Sequence, residues 1–106
     1  MAEVILEACE SKTLFPGYEA RFIHTDRMTL AYVSVEAGAE LPEHNHHNEQ
    51  VVNVLSGEFE LVVEGTPHVL KPGVAYVIPP NVKHSGRARS ECTILDVFSP
   101  VREDWL

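Results

Sequence analysis

Cysteine and basic residues are scarce in this chain. The sequence holds two cysteines, Cys9 and Cys92, and its 8 lysines and arginines stand against 16 aspartates and glutamates. The cysteines lie far apart and form no CxxC pair, so we expect reduced thiols packed as small core residues in a reducing, cytoplasmic compartment. Nucleic acids and anionic membranes bind clustered lysine and arginine, and the formal net charge of -8 therefore predicts neither as a partner. A small anionic molecule is not excluded, because a buried metal ion or arginine can reverse the field locally.

Long hydrophobic runs are also missing. No stretch approaches the roughly 20 apolar residues of a membrane helix. Residues 1–7 have no basic segment and too short an apolar run for a signal peptide. A chain of 106 residues is long enough for one hydrophobic core but not for two, so we predict a single domain over residues 1–106.

The apolar residues occur in short runs bounded by Gly, Pro or Asn, and no long window has a helical period. This pattern is typical of an all-β sandwich or barrel. We predict strands near residues 4–9, 19–25, 28–35, 46–55, 58–64, 67–70, 74–78, 84–88 and 91–98. Closing short antiparallel strands into a barrel or jelly roll protects their edges and leaves an interior that can hold a small ligand.

A histidine-rich stretch precedes the apolar run of residues 51–55. On a strand, alternate side chains share a face, so His44 and His46 can reach one point, and Gln50 has the same parity. Transition metals accept imidazole nitrogens together with an oxygen donor, so the stretch predicts half of a metal site. By parity, His47 belongs at the rim or behind the ligands, and Glu49, the alternative oxygen donor, points away from His46.

A second block, residues 73–84, offers one more histidine. Pro79 and Pro80 end a strand, Asn81 suits a turn position with positive φ, and His84 opens the next strand. In isolation a histidine at a strand start is usually a polar strand end, and His24 and His68 are interpreted in that way.

The two blocks together resemble the motifs of the cupin superfamily. The first motif aligns over residues 38–57 at Gly38, His44, His46, Gln50 and Gly57, and the second aligns over residues 73–88 at Gly73, Pro79, Asn81 and His84. The resemblance implies an all-β cupin, an antiparallel jelly-roll barrel whose inner wall holds a divalent metal through His44, His46, Gln50 and His84. It also implies a homodimer, by analogy with small cupins.

The chain departs from the first motif at Gln50, where cupins usually have glutamate. A neutral amide leaves the full charge of the ion uncompensated, which makes a stronger Lewis acid toward an anionic substrate. It also argues against redox dioxygen chemistry, which more often uses histidines with a carboxylate. Ni, Zn, Mn, Fe and Co all suit three histidines and a glutamine, so the metal stays open.

An aspartate interrupts the apolar run of residues 92–98, which we predict to be a central strand buried on both faces. Charged residues are rarely buried without a partner, so Asp96 needs an explanation. Phe98 shares its face, and Arg102 follows closely enough to fold back toward the barrel mouth. One hypothesis is a structural ion pair between Asp96 and Arg102, with Phe98 as core.

The alternative comes from a narrower resemblance. Residues 96–104 are similar to the tail of the KdgF-type cupins of pectin and alginate degradation, which implies Asp96, Phe98 and Arg102 as catalytic residues and the same three-histidine, one-glutamine metal set. The resemblance implies an unsaturated pyranuronate lyase, which linearises 4,5-unsaturated monouronates to 5-keto-4-deoxyuronate. Asp96 would be the general base, Arg102 would pair with the substrate carboxylate, and Phe98 would be an apolar wall.

Other functions and residues remain as alternatives. A metal-dependent small-cupin dioxygenase would consume oxygen, and a non-enzymatic sugar-binding or sensor cupin would bind uronate unchanged. Arg21 is a weaker candidate for contacting a carboxylate. Tyr32 and Tyr76 either line the cavity or pack in the core.

Overall fold

The computed structural model describes residues 2–106, which form ten strands and two short 3-10 helices. The strands are β1 (Lys12–Phe15), β2 (Tyr18–His24), β3 (Thr29–Val35), β4 (Glu40–His44), β5 (Glu49–Ser56), β6 (Phe59–Val63), β7 (Thr66–Leu70), β8 (Ala75–Ile78), β9 (His84–Ala88) and β10 (Cys92–Ser99). The 3-10 helices are Leu6–Ala8 and Glu103–Trp105. Within residues 2–106, no helix has the length and apolar character needed to cross a membrane.

The strands form two sheets in which every pairing is antiparallel. One sheet has six strands in the order β1-β2-β3-β10-β5-β8, and the other has four in the order β4-β9-β6-β7. The two sheets enclose one core, as in a jelly roll. The prediction of an all-β antiparallel fold is confirmed.

Period-two alternation explains how each sheet covers the core. In β3 the buried side chains are those of Ala31, Val33 and Val35, and their neighbours in sequence are more exposed. β6 follows the same pattern with alternate buried side chains in the other sheet. Successive side chains of a strand point to opposite faces, so each strand contributes every second residue to the interior. The interior between the sheets is therefore apolar except at one end.

The predicted strand at 4–9 is wrong. Val4 and Ile5 are 46% and 62% exposed, and the following residues form a 3-10 helix. The Arg21 side chain donates a hydrogen bond to the Leu6 carbonyl, so this segment lies across β2 rather than pairing with it. Two strands, β1 and β4, were not predicted, because as edge strands they carry few buried residues and lack an apolar run.

The prediction for β10 is half right. The strand lies at the centre of its sheet between β3 and β5, as expected. Its inner face is buried at Cys92, Ile94 and Phe98, but Leu95 and Val97 on the outer face remain half exposed. The strand therefore carries apolar residues on both faces, but only the inner face is buried, and no described residue covers the outer face fully.

Gly57, between β5 and β6, is required by both its backbone and its surroundings. Its φ of +77° lies in the left-handed region, and a Cβ there would lie 2.2 Å from the Glu91 carbonyl oxygen. Gly65, at the β6–β7 turn, has a similar φ of +80° but open space around it. A side chain would strain the backbone at both positions, but it would meet neighbouring atoms only at Gly57.

Replacing Gly57 by Ala should destabilise the protein more than replacing Gly65 by Ala. Both substitutions place a side chain in the left-handed region, at about 1 to 2 kcal/mol each. Gly57→Ala should lose roughly 1 to 3 kcal/mol more, because the packed β-strands must shift. The free energies of unfolding from urea titrations test this difference. Equal losses for the two variants would contradict the steric argument.

Candidate metal centre and cavity

Three histidines converge at the open end of the core. The possible ligand atoms of His44, His46 and His84 all lie within 4.8 Å of one another. His44 ends β4 and lies opposite His84, the first residue of β9, in the antiparallel ladder. His46 lies in the loop that leads into β5. The structure therefore brings these three side chains together, but the strand-parity argument for His44 and His46 does not hold, because His46 lies in a loop.

Backbone carbonyl groups orient all three imidazole rings. The Nδ1 atom of His44 lies 2.8 Å from the Pro42 carbonyl oxygen, that of His46 lies 2.9 Å from the carbonyl of Asn48, and that of His84 lies 2.9 Å from the carbonyl of Val82. A carbonyl oxygen can only accept, so each Nδ1 carries the proton. The lone pairs of the three Nε2 atoms are thereby left for a common ligand.

The surroundings keep two of these rings neutral. Burial lowers the pKa of His84 to about 4. Burial, and then the positive charge of Arg102, lowers the pKa of His46 as well. The His84 Nε2 atom is buried and has no hydrogen-bond partner among residues 2–106. Buried polar atoms are normally satisfied, and a neutral imidazole nitrogen is a good metal ligand, so the cluster fits a divalent transition metal.

Gln50 extends the cluster with an oxygen atom. Its side chain is buried, and its Oε1 lies 3.0 Å from the His46 Nε2. Because His46 carries its proton on Nδ1, both of these atoms direct lone pairs toward the same point, an arrangement that suits a cation. Glu49 is exposed on the opposite face of β5. Of Gln50 and Glu49, Gln50 is therefore the residue whose oxygen can reach the histidine cluster.

Asp96 lies beside Gln50 on the inner face of β10. The Gln50 Nε2 donates a hydrogen bond to Asp96 Oδ1 at 3.0 Å. Burial raises the pKa of Asp96 to about 7, although the Gln50 hydrogen bond and the charge of Arg102 oppose that shift. The residue keeps some accessible surface because it faces a cavity. A carboxyl group with such a pKa can both accept and donate a proton near neutrality.

Arg102 does not form the predicted ion pair with Asp96. Its guanidinium group instead donates two hydrogen bonds to Asp104, Nε to Oδ1 at 3.0 Å and NH2 to Oδ2 at 2.8 Å. It lies 3.7 Å from the ring centre of Trp105 and 4.9 Å from that of Phe98. The structural ion-pair hypothesis is therefore wrong in its choice of partner, while Arg102 still borders the same space as Asp96.

Gln50, Asp96, Arg102 and two of the three histidines line one cavity of about 410 Å³ between the sheets. This volume lies within the usual range of small-molecule sites, about 300 to 1,000 Å³. Its polar lining combines His44 and His84 with charged and amide side chains, and the rest of its lining is apolar and aromatic. The lining residues include His44, Gln50, His84, Asp96, Phe98, Arg102, Asp104, Trp105, Tyr18, Leu41, Phe59 and Ile94. The arrangement could hold a small anion between a metal, an arginine and a carboxyl group.

The weaker sequence candidates lie elsewhere. Arg21 and Tyr32 border a separate concavity near the N-terminal segment. Tyr76 packs against the core and contacts His68 with tilted rings, whose centres lie 4.7 Å apart. The His24 Nδ1 contacts the Thr29 hydroxyl group at 2.8 Å. Within residues 2–106, none of these side chains joins the histidine cluster.

Asn48 is an important residue that the sequence analysis missed. Its carbonyl group accepts the His46 Nδ1 proton, and its buried side chain donates to the Pro100 carbonyl at 2.6 Å. One residue thus joins the histidine loop to the segment that carries Arg102. In the sequence, Asn48 lies among polar loop residues, and nothing there distinguishes it from a solvated asparagine.

Tyr18 and Trp105 were also missed. Tyr18 is buried in the cavity wall and donates a hydrogen bond to the Ala39 carbonyl at 3.0 Å. Trp105 contacts Phe98 edge to face, with 5.1 Å between ring centres, and lies in the C-terminal 3-10 helix. Both aromatic residues are far in sequence from the cupin motifs, so only the fold brings them to the site.

The chain matches known proteins in sequence. Residues 31–98 match the family model described as Cupin domain. The chain is 36% identical over 84 residues to the pectin degradation protein KdgF of Dickeya dadantii, which covers 77% of this chain and 76% of that protein. It is 41% identical over 79 residues to L-ectoine synthase of Hahella chejuensis, covering 71% of this chain and 60% of the relative.

A solved structure agrees with these matches. KdgF from Halomonas sp. superposes with a TM-score of 0.93 at 29% identity, covering 100% of this chain and 99% of that one. The two-sheet fold and the family match over more than half of the sequence agree with the motifs around the histidines. The chain therefore belongs to the cupin superfamily and is a cupin of the KdgF type.

Proposed function

We propose that the protein is a metal-dependent enzyme that opens the ring of 4,5-unsaturated monouronates from pectin or alginate breakdown, which yields 5-keto-4-deoxyuronate. One observation carries this proposal. Three imidazoles converge beside one cavity, which is lined by two of them, by a carboxyl group with a pKa near neutrality and by an arginine suited to carboxylates. Similarity to a pectin degradation protein supports the choice of substrate class.

In the proposed site, His44, His46, His84 and the Gln50 oxygen hold the metal ion. When bound, the ion supplies positive charge that stabilises negative charge developing on substrate oxygens. The four neutral donors leave that charge uncompensated, which favours an anionic substrate. Ni, Zn, Mn, Fe and Co are all compatible with this donor set.

Arg102 orients the substrate through its carboxylate. A planar guanidinium group matches a carboxylate with two parallel hydrogen bonds, as it does with Asp104 in this structure. Phe98 is 2% exposed and forms the apolar wall beside Arg102, where it can contact the sugar ring and exclude water. These contacts would hold the anomeric carbon toward Asp96.

Asp96 moves the proton. It accepts the proton of the anomeric hydroxyl group, so that a carbonyl forms at C1, the C1–ring-oxygen bond breaks, and the ring oxygen keeps the bonding electrons as an enolate. The same proton can then be delivered to C4, which gives the 5-keto group. The step is an isomerisation without an oxidant. The Gln50 hydrogen bond to Oδ1 leaves Oδ2 of Asp96 free to meet the substrate.

We also propose that the protein is a homodimer. An apolar row of five side chains crosses the outer face of the six-stranded sheet, and each member lies opposite the next in the strand registers: Ile23, Leu30, Val97, Val51 and Val77. Val77 is 56% exposed and the other four are half exposed. An isologous contact with a second copy would cover this row.

The metal-binding set can be tested by replacing one histidine at a time. His46→Ala should weaken Ni²⁺ or Zn²⁺ binding by more than about 100-fold, because it removes a direct ligand. Substitutions of residues that only support the ligands typically weaken metal binding by up to about 100-fold. His47→Ala is the matched control, since His47 is the exposed neighbour. Isothermal titration of the chelator-treated proteins measures both affinities. Equal affinities would exclude His46 from the set.

The activity is tested with unsaturated uronate, whose conjugated enol absorbs in the ultraviolet. The metal-loaded protein should accelerate the loss of this absorbance over spontaneous decay. Asp96→Asn should lower turnover by at least about 100-fold, because the proton acceptor is lost. Its amide oxygen can still accept from Gln50, so the metal affinity should be unchanged.

Three outcomes would contradict parts of this proposal. A wild-type rate equal to spontaneous decay, with metal bound, would reject the lyase activity. Unchanged turnover in Asp96→Asn would remove Asp96 from the proton transfer. Oxygen consumption at an electrode during turnover would indicate the dioxygenase instead.

The dimer is tested by equilibrium sedimentation. The wild-type chain should sediment as a dimer, and Val77→Lys should weaken association by at least about tenfold, because it places a charge on the apolar row. Val69→Lys is the control, since Val69 is 42% exposed on the other sheet. A monomeric wild type, or equal weakening by both variants, would reject this interface.

A further inference from the structure

The carboxylate of Asp104 occupies the Nε–NH2 edge of the Arg102 guanidinium group. It accepts two hydrogen bonds from the guanidinium group, in the two-point geometry by which arginine binds a carboxylate ligand. Asp104 and Arg102 both line the cavity that contains the histidine cluster. No other salt bridge is found within residues 2–106. Asp104 thus occupies a two-point binding position for an anionic ligand beside the cavity.

The two partners differ greatly in burial. The Arg102 side chain is 10% exposed and that of Asp104 is 60% exposed. Arg102 is further enclosed by Trp105, and its backbone NH donates to the buried Thr29 hydroxyl group at 2.9 Å. A charge at such depth is costly without a partner, whereas a released Asp104 would regain water. Exchange of one carboxylate for another is therefore easier than loss of Asp104 alone.

We propose that Asp104 competes with the substrate carboxylate for Arg102. Arg102 releases Asp104 only to a ligand that brings a carboxylate of its own. The inference rests on the proposed function, since it assigns Arg102 to the substrate carboxylate. Asp104 is then a specificity-determining residue. A uronate replaces both hydrogen bonds to Arg102, while a neutral sugar of the same shape would leave the guanidinium group unpaired.

This exchange also sets the apparent affinity. A ligand that binds only after Asp104 has moved is weakened in proportion to the fraction of molecules in which the position is free. Removing the competing charge should therefore strengthen carboxylate binding. If Asp104 only held Arg102 in place, its removal would weaken binding, so the two roles predict opposite signs.

The chain contains a built-in reporter for this equilibrium. Trp105 is the single tryptophan of the sequence, and its ring lies 3.7 Å from the guanidinium carbon of Arg102. Tryptophan fluorescence should therefore respond when a ligand changes the contacts of Arg102. Galacturonate, a saturated uronate, is a probe without the double bond needed for turnover, and galactose is its neutral counterpart.

The experiment compares Asp104→Asn with Glu103→Gln in the metal-loaded protein. Both variants remove one negative charge from the same 3-10 helix, but of the two side chains only that of Asp104 forms an ion pair with Arg102. Galacturonate should bind Asp104→Asn at least about tenfold more tightly than wild type, as expected for loss of a charge-assisted pair. Its affinity for Glu103→Gln should change by less than about twofold. Galactose should not gain affinity in either variant.

A thermal melt gives a second measurement on the same proteins. Without ligand, Asp104→Asn should melt below wild type, because Arg102 lacks an anionic partner, and galacturonate should raise its melting temperature more than that of wild type.

Equal or weaker galacturonate binding by Asp104→Asn would overturn the inference, as would equal gains in both variants. Tighter binding without turnover of unsaturated uronate would retain the inference and reject the lyase. Turnover of unsaturated uronate without tighter galacturonate binding by Asp104→Asn would retain the lyase and reject the inference.

Discussion

The hydrogen bond from Gln50 to Asp96 joins the two halves of this site. The Gln50 amide directs its oxygen toward His46 and its nitrogen toward Asp96, each at 3.0 Å. A glutamate at this position, as in the usual cupin motif, would set two carboxylates against each other at that distance, and one would have to hold a proton. The amide removes this repulsion. The Gln50 oxygen can therefore lie beside the histidines while the Asp96 carboxyl group lies next to it at the cavity.

Gln50 and Asp96 come together because their strands are neighbours. β5 and β10 pair across the centre of the six-stranded sheet, and Val52, next to Gln50 on the inner face, lies opposite Asp96. The histidines come from β4, β9 and the loop before β5, where backbone carbonyls orient their rings. Asn48 links that loop to the segment carrying Arg102 through its hydrogen bond to Pro100. The cavity is thus built from segments that are distant in sequence and held by few polar contacts.

The sequence alone led to correct results where local pattern and family motif agreed. Alternation predicted the antiparallel fold, and the motifs selected three histidines that the structure brings within 4.8 Å. The geometric reason was partly wrong, because His46 lies in a loop rather than on a strand with His44. The pattern also failed for the segment at 4–9, whose apolar residues are largely exposed, and for β1, whose edge position needs few buried side chains.

Strand periodicity and the two motif blocks determined the fold class and the candidate residues His44, His46, Gln50 and His84. The resemblance of residues 96–104 to the KdgF-type cupins added Asp96, Phe98 and Arg102. These properties follow from residue type and short spacing, which a sequence records directly. Only the tertiary structure decided the partners, because a buried charge pairs with whatever group the fold brings within reach. One hypothesis paired Asp96 with Arg102, yet Asp96 lies beside Gln50, and Arg102 instead holds Asp104 and stacks on Trp105. Those partnerships depend on strand register and on the path of the C-terminal segment, which no local pattern specifies.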